Sequence, residues 1–244
     1  GVGIVQTDPR DSDTDDDQLL DGEEALGILI SIPEDGVSTV VFSNPTMMDT
    51  DDDDIDDYTE AVSGWGIYVE YANGSSQSYT VYSDPNNPDT DNDYLDDYVE
   101  WLKGGDPWRN DTDKDGLDDV DEYWIGTRIW DGDSDDDLIS DYNEILGVNI
   151  TDPTTGDEYT VYTDKWNPDS DDDGLLDGEE YLGFNVLGYG YMQTDPTLRD
   201  TDGDGLTDYN ETQGVTVGSV TYYTCLLYTS DAADDGESVD LGGR

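Results

Sequence analysis

The chain has 244 residues, with 64 acidic against 8 basic side chains and a net charge of −56, which sets it against nucleic acid and anionic lipid as partners. It has no His, so it lacks the commonest general base and the usual zinc ligand. Hydrophobic residues make up 33%, too few for one large core, yet 18 Tyr and 6 Trp are too many for a disordered acidic tail.

The acids are 51 Asp and only 13 Glu. Glu is the better helix former, whereas Asp favours loops, caps and hard-cation ligation. No apolar run is long enough to cross a membrane.

The chain opens at Gly1 without an initiator Met, and residues 1–12 read as the end of a preceding unit of a longer protein. From Asp13 to residue 224 one unit recurs seven times, D-x-D-x-D-x-Φ-x-D-x-x-E, where Φ is Leu or Ile. The first copy sets Asp13, Asp15, Asp17, Leu19, Asp21 and Glu24 at positions 1, 3, 5, 7, 9 and 12. The second has Asp49, Asp51, Asp53, Ile55, Asp57 and Glu60, and the third Asp89, Asp91, Asp93, Leu95, Asp97 and Glu100. The fourth has Asp111, Asp113, Asp115, Leu117, Asp119 and Glu122, and the fifth Asp133, Asp135, Asp137, Ile139, Asp141 and Glu144. Asp169, Asp171, Asp173, Leu175, Asp177 and Glu180 form the sixth, and Asp200, Asp202, Asp204, Leu206, Asp208 and Glu211 the seventh.

That spacing suits calcium. The ion takes six to eight oxygens at about 2.3–2.6 Å, and alternate residues of a tight loop turn short carboxylates inward. A carbonyl at position 7 adds an oxygen without charge, and Glu at position 12 reaches back from a helix start. Magnesium demands a stricter octahedron, and zinc or copper would want His or Cys. The expectation is one cage of five carboxylates per loop, with about seven Ca²⁺ sites. A solvated acidic run would not keep seven copies in register.

Each loop should lead into a short helical turn stopped by Gly27, Gly64, Gly104, Gly126, Gly147, Gly183 or Gly214. Asp or Asn five residues before most loops, usually followed by Pro, marks a turn, with Asp8, Asn44, Asp84, Asp106 and Asp195 read as caps. Three inserts alternate like β-hairpins: Ile28–Ile32 with Val37–Phe42, Ile67–Tyr71 with Tyr79–Tyr82, and Val148–Ile150 with Tyr159–Thr163. Trp65, Trp101, Trp108, Trp124, Trp130 and Trp166 stand beside the loops as packing residues. Of four Asn-x-Ser/Thr triplets, only Asn73 sits in a turn suited to an exposed glycan acceptor.

Residues 225–244 resemble the in-frame translation of a transposase sequencing adaptor followed by its primer, and they are set aside with Cys225, the only cysteine. The remainder then has no thiol chemistry.

The loops resemble the calcium-binding motif of thrombospondin type 3 repeats, a motif also found in prokaryotic surface proteins and some bacterial toxins. The resemblance implies calcium held in an irregular, metal-organised, extracellular or cell-surface array. The chain departs from it in three ways. It lacks the disulfides of the animal repeats, which favours a prokaryotic version. Gly at position 6 appears only as Gly116, Gly174 and Gly205, against Gln18, Asp54, Tyr94 and Leu138 elsewhere. A left-handed backbone at position 6 would weaken the Tyr94 and Leu138 sites. The aliphatic residue stands at position 7, whereas EF-hand and dockerin loops place it at position 8.

The expected fold is a tandem calcium-loop array, mostly irregular coil with short helical turns and small hairpins, elongated and without a single large core. The expected role is a non-catalytic spacer or stalk stiffened by Ca²⁺. The alternative is a calcium-dependent adhesin gripping a surface glycan or protein through hairpin aromatics.

Overall fold

The computed structural model describes residues 6–32, 36–151, 156–186, 190–217 and 220–222. The adaptor-like stretch 225–244 lies outside the described residues. The chain divides into two compact units, residues 1–134 and 135–244, with the boundary inside the fifth loop. Most of the described backbone is coil and turn, broken by short helices and two-stranded antiparallel hairpins.

The first unit runs through helix α1 (Asp21–Leu26), strands β1 (Ile28–Ile32) and β2 (Val37–Val41), and a π-helical turn at Thr59–Ser63. Strands β3 (Trp65–Glu70) and β4 (Ser76–Val81) follow, then α2 (Asp97–Lys103) and α3 (Asp119–Ile125). The second unit has α4 (Asp141–Leu146), β5 (Val148–Thr151), β6 (Glu158–Val161) and α5 (Asp177–Leu182). It continues through β7 (Phe184–Val186), β8 (Gly190–Met192), α6 (Asp208–Gln213), β9 (Val215–Val217) and β10 (Val220–Tyr222).

The β1–β2, β3–β4 and β5–β6 hairpins fall on the three alternating inserts. The β7–β8 and β9–β10 hairpins were not expected from the sequence. Their strands are three residues each, too short for an alternation signal.

The aliphatic residue at position 7 explains why the loops and hairpins belong together. Leu19, Ile55, Leu95, Leu117, Ile139 and Leu175 are buried. Ile55 packs with Trp65, Ile67, Val69 and Val81, and Ile139 with Val148, Ile150 and Val161. A lone hairpin is marginal in water. Burying one such aliphatic side chain contributes about 1.5–3 kcal/mol, so loops two and five each seal one face of the hairpin that follows them. The cores are therefore several and small. A parallel bridge at Asp131 also flanks the end of β3, where the Glu70 amide donates to the Trp130 carbonyl at 2.7 Å and the Gly132 amide to the Glu70 carbonyl at 3.0 Å.

Glycine stops the helices for a steric reason. Gly64 and Gly147 have φ of 60° and 83°, and an added Cβ would lie 2.5 Å from the Val81 carbonyl and 2.9 Å from that of Val161. The returning strand packs directly on the helix end.

Not every Trp is buried in packing. Trp65 is 7% exposed, but Trp101, Trp124 and Trp166 are 41%, 78% and 46% exposed. Trp108 donates its indole N–H to the Tyr82 carbonyl at 2.8 Å.

Both position 4 and position 6 are left-handed in every loop. At position 4 these are Asp16, Asp52, Asn92, Lys114, Asp136, Asp172 and Gly203. At position 6 Gln18, Asp54, Tyr94 and Leu138 share that conformation with three glycines. A non-Gly residue there costs on the order of 1–2 kcal/mol. Tyr94 has φ of 82° and is 90% exposed, so its side chain gives little back. Tyr94→Gly is therefore expected to raise stability by about 1 kcal/mol in the calcium-loaded chain, read from the denaturation midpoint. Loss of stability would show that the ring is held by contacts in solution.

Candidate metal centres

The loop closes on a hydroxyl. Position 2 is Thr14, Thr50, Thr90, Thr112, Ser134, Ser170 or Thr201. In loop three the Thr90 amide and hydroxyl donate to the two carboxylate oxygens of Asp97 at 2.8 and 2.7 Å. The Thr90 hydroxyl in turn accepts the Asp84 amide at 2.9 Å. The same relay joins Asn44, Thr50 and Asp57, and Asp195, Thr201 and Asp208. The relay ties the turn before the loop to the helix after it.

The turn aspartates act as caps. Asp8, Asp84, Asp106, Asp164 and Asp195 each accept the amide two residues on. Tyr79 and Tyr159 add hydroxyl bonds to Asp106 and Asp195 at 3.0 and 2.9 Å, tying β4 and β6 to the turn that lies beyond the following loop.

Positions 1, 3 and 5 converge. One carboxylate oxygen each from Asp13, Asp15 and Asp17 lies within 4.8 Å of the others, and Asp49, Asp51, Asp53 and Asp89, Asp91, Asp93 repeat the arrangement. Backbone amides hold them in place. The position-7 amide donates to the position-5 carboxylate at 2.7 Å in loops one to four. That bond occupies one oxygen. The other oxygens Asp15 Oδ2, Asp17 Oδ2, Asp53 Oδ2, Asp91 Oδ2 and Asp93 Oδ2 are buried with no hydrogen-bond donor.

The carboxylates of one loop also group with those of the next. Glu at position 12 meets position 5 of its own loop and position 9 of the next. Asp17, Glu24 and Asp57 form one such group, and Asp53, Glu60 and Asp97 another, again within 4.8 Å. The clasp on position 2 points the position-9 carboxylate outward, across the joint to the preceding loop. In the second unit Glu180 likewise faces Asp171, Asp173 and Asp208 of the following loop. These carboxylates are deeply buried: Glu24, Asp57, Glu60 and Asp97 are 0% exposed.

Most of these glutamates have one hydroxyl partner, supplied from just before the next turn. Ser43, Ser83, Thr163 and Thr194 donate to Glu24, Glu60, Glu144 and Glu180 at 2.8–3.0 Å. Their second oxygens have no donor.

Burial and mutual repulsion push these acids upward. Burial first, then Asp51, Asp53 and Asp97, lift Glu60 to about 10 against the Ser83 hydrogen bond. Burial likewise lifts Glu144 and Glu180 to about 9 and Asp97 to about 8. Glu100 and Asp119 are raised well above the usual range by the same burial. Asp21, at the first position 9, is instead lowered: desolvation is the largest single effect, but the hydrogen bonds from Thr14 and Thr7 together outweigh it.

The chemistry of this donor set fits a hard divalent cation. The atoms are all carboxylate oxygens, they are orphaned in pairs and trios, and the scaffold already fixes them. The structure gives position 7 a core role through its side chain. No family model, curated protein or solved structure matches the chain. Among the described residues no helix is long and apolar enough to cross a membrane.

Proposed function

We propose that the chain is a calcium-binding structural segment of an extracellular or cell-surface protein, in which bound Ca²⁺ joins each loop to the next. The carrying observation is the group shared between successive loops, Asp17–Glu24–Asp57 and Asp53–Glu60–Asp97, buried apart from the half-buried Asp53, in which Asp17, Glu24, Asp53 and Glu60 each keep one oxygen without a donor. Two loops cannot keep these acids together as anions unless a cation joins them. Each loop then serves two ions, one within its first turn and one at the joint. The position-7 carbonyl would complete the inner site.

Calcium is favoured over magnesium by the number of oxygens and the lack of strict symmetry. Millimolar extracellular calcium matches the roughly 10⁻⁴–10⁻³ M affinities of extracellular modules. The role this supports is a non-catalytic spacer. Small-angle scattering with 5 mM calcium and then with chelator is the test. An extended, rigid particle that becomes a flexible coil supports it, and the same compact particle in both conditions removes it.

Protons compete for the same oxygens. Unbound Glu60 ionises at about 10 and Glu144 and Glu180 at about 9, so at pH 7 they hold protons that calcium must displace. The sign follows. These folded-state values are raised, so protonation stabilises the metal-free fold below the unfolded value, 4.5 for Glu60, and is lost as pH rises toward 10. Calcium works in the opposite sense. In weakly buffered solution at pH 7 calcium addition should release several protons per chain, and affinity should fall steadily from pH 8 to pH 5. Binding without proton release would show that these acids are already ionised.

A second reading, a calcium-dependent adhesin, has one observation in its favour. The hairpin tyrosines Tyr68, Tyr162 and Tyr191 are 45%, 63% and 68% exposed. Glycan binding that disappears with chelator and with Tyr162→Ala would move the role from spacer to adhesin.

A further inference from the structure

Five position-12 glutamates, Glu24, Glu60, Glu122, Glu144 and Glu180, accept a hydroxyl hydrogen bond, and Glu100 does not. It is 0% exposed, and both of its carboxylate oxygens lack a hydrogen-bond donor. It faces Asp91, Asp93 and Asp97, and Asp119 of the next loop. The residue that should supply its hydroxyl is the one just before the next turn aspartate, Asp106. There the chain has Gly105.

The absence is not a consequence of the short joint. The joint after loop four is equally short, yet Thr127 occupies the matching place and donates to Glu122 at 3.3 Å. Nor does the backbone require glycine, since Gly105 is not among the positive-φ residues. An added Cβ would lie 3.1 Å from Glu100 Cβ and 3.2 Å from its Oε1. The glutamate thus lies in the space a side chain would take.

We propose that Gly105 sets cation selectivity at the Glu100 centre, leaving both carboxylate oxygens to one ion and favouring calcium over magnesium more than hydroxyl-held centres do. The inference rests on the calcium reading above. A glutamate whose oxygen is held by a hydroxyl has its plane fixed and presents mainly its other oxygen. One with two free oxygens can ligate bidentately. Calcium accommodates that seventh or eighth oxygen readily, while magnesium's small octahedron does not.

Two amides report on the neighbouring centres. The Gly104 amide donates to the Glu100 carbonyl and the Gly126 amide to the Glu122 carbonyl, both at 2.7 Å. Nuclear magnetic resonance of the full chain, titrated with calcium and separately with magnesium, gives a calcium-to-magnesium affinity ratio at each. The ratio at Gly104 should exceed that at Gly126 by on the order of tenfold, the size of one charge-assisted contact. Gly105→Ser should remove the excess, while Gly105→Ala, which adds bulk without a donor, should retain more of it. Thr127→Gly should raise the ratio at Gly126, a check independent of the folding of the Gly105 variants. Equal ratios in the unmodified chain, or no change with Gly105→Ser and Thr127→Gly, overturn the selectivity proposal while leaving calcium binding intact. Silence of both amides toward calcium overturns both readings.

Discussion

Removing calcium should unfold most of this chain. In 5 mM calcium a cooperative thermal transition is expected; with excess chelator at pH 8 and low salt, far-ultraviolet circular dichroism should read as coil and the transition should vanish. The magnitude comes from repulsion and linkage together. Two carboxylates about 4 Å apart repel by about 4 kcal/mol at an effective dielectric near 20. The groups at Asp17, Glu24 and Asp57 and at Asp53, Glu60 and Asp97 hold three each within 4.8 Å. Little in the interior offsets this, because the hydrophobic clusters contain only a few side chains each. At ten times the dissociation constant an ion adds about 1.4 kcal/mol, so one inner ion in each of seven loops gives about 10 kcal/mol before any joint ion is counted. That equals the whole stability of an ordinary domain.

Two controls separate this from a general charge effect. Sodium chloride at 1 M shortens screening to about 3 Å and should relieve surface repulsion, but not the buried groups. Acidification to pH 5 should restore part of the metal-free fold, since Glu60 and Glu144 carry protons in the fold, at about 10 and 9, and the cost of placing those protons shrinks as pH falls toward the unfolded value of 4.5. A chain that melts at the same temperature with calcium and with chelator would sink the reading.

Much of the site was legible because the signal repeats within one chain. Position 5, the glycine stops and the aliphatic at position 7 announce themselves by spacing. The role of position 9 did not. Asp57 recurs where a ligand of its own loop would, and spacing alone cannot say which neighbour it faces. The clue was position 2, a Thr or Ser in every copy, whose amide and hydroxyl take both oxygens of the position-9 carboxylate. The paired left-handed residues were half legible. Gly at position 6 suggested one, while Asp16, Asp52, Asn92, Asp136 and Asp172 at position 4 carry the Asx preference for that conformation. Trp124 shows the limit of composition. A ring beside a loop reads as packing, but the helix turns it 78% into solvent.

The cross-joint assignment places the effect of a loop-two substitution in loop one, which no single-loop cage predicts. Asp57→Asn keeps the shape of the side chain and removes its charge. Thr50 N–H still has an oxygen to bond at 2.8 Å, so the loop-two turn should persist. Across the joint, Asp17 and Glu24 lose an anionic neighbour. Without calcium this relieves repulsion, and Asp57→Asn should be slightly more stable than the parent. With calcium the joint ion loses a ligand, and affinity there should fall about tenfold or more, by analogy with outer-shell losses of 10–100-fold. The amide of Leu19, bonded to Asp17 at 2.7 Å, reports the loss in loop one although the substitution is in loop two. Asp21→Asn is the control, because Asp21 is the position-9 residue of loop one itself. If Asp21→Asn weakens calcium at the Leu19 reporter and Asp57→Asn does not, each loop is a closed cage and the joints carry no shared ion. If only Asp57→Asn does so, binding at one loop requires the folded presence of the next, and calcium affinity depends on the length of the array.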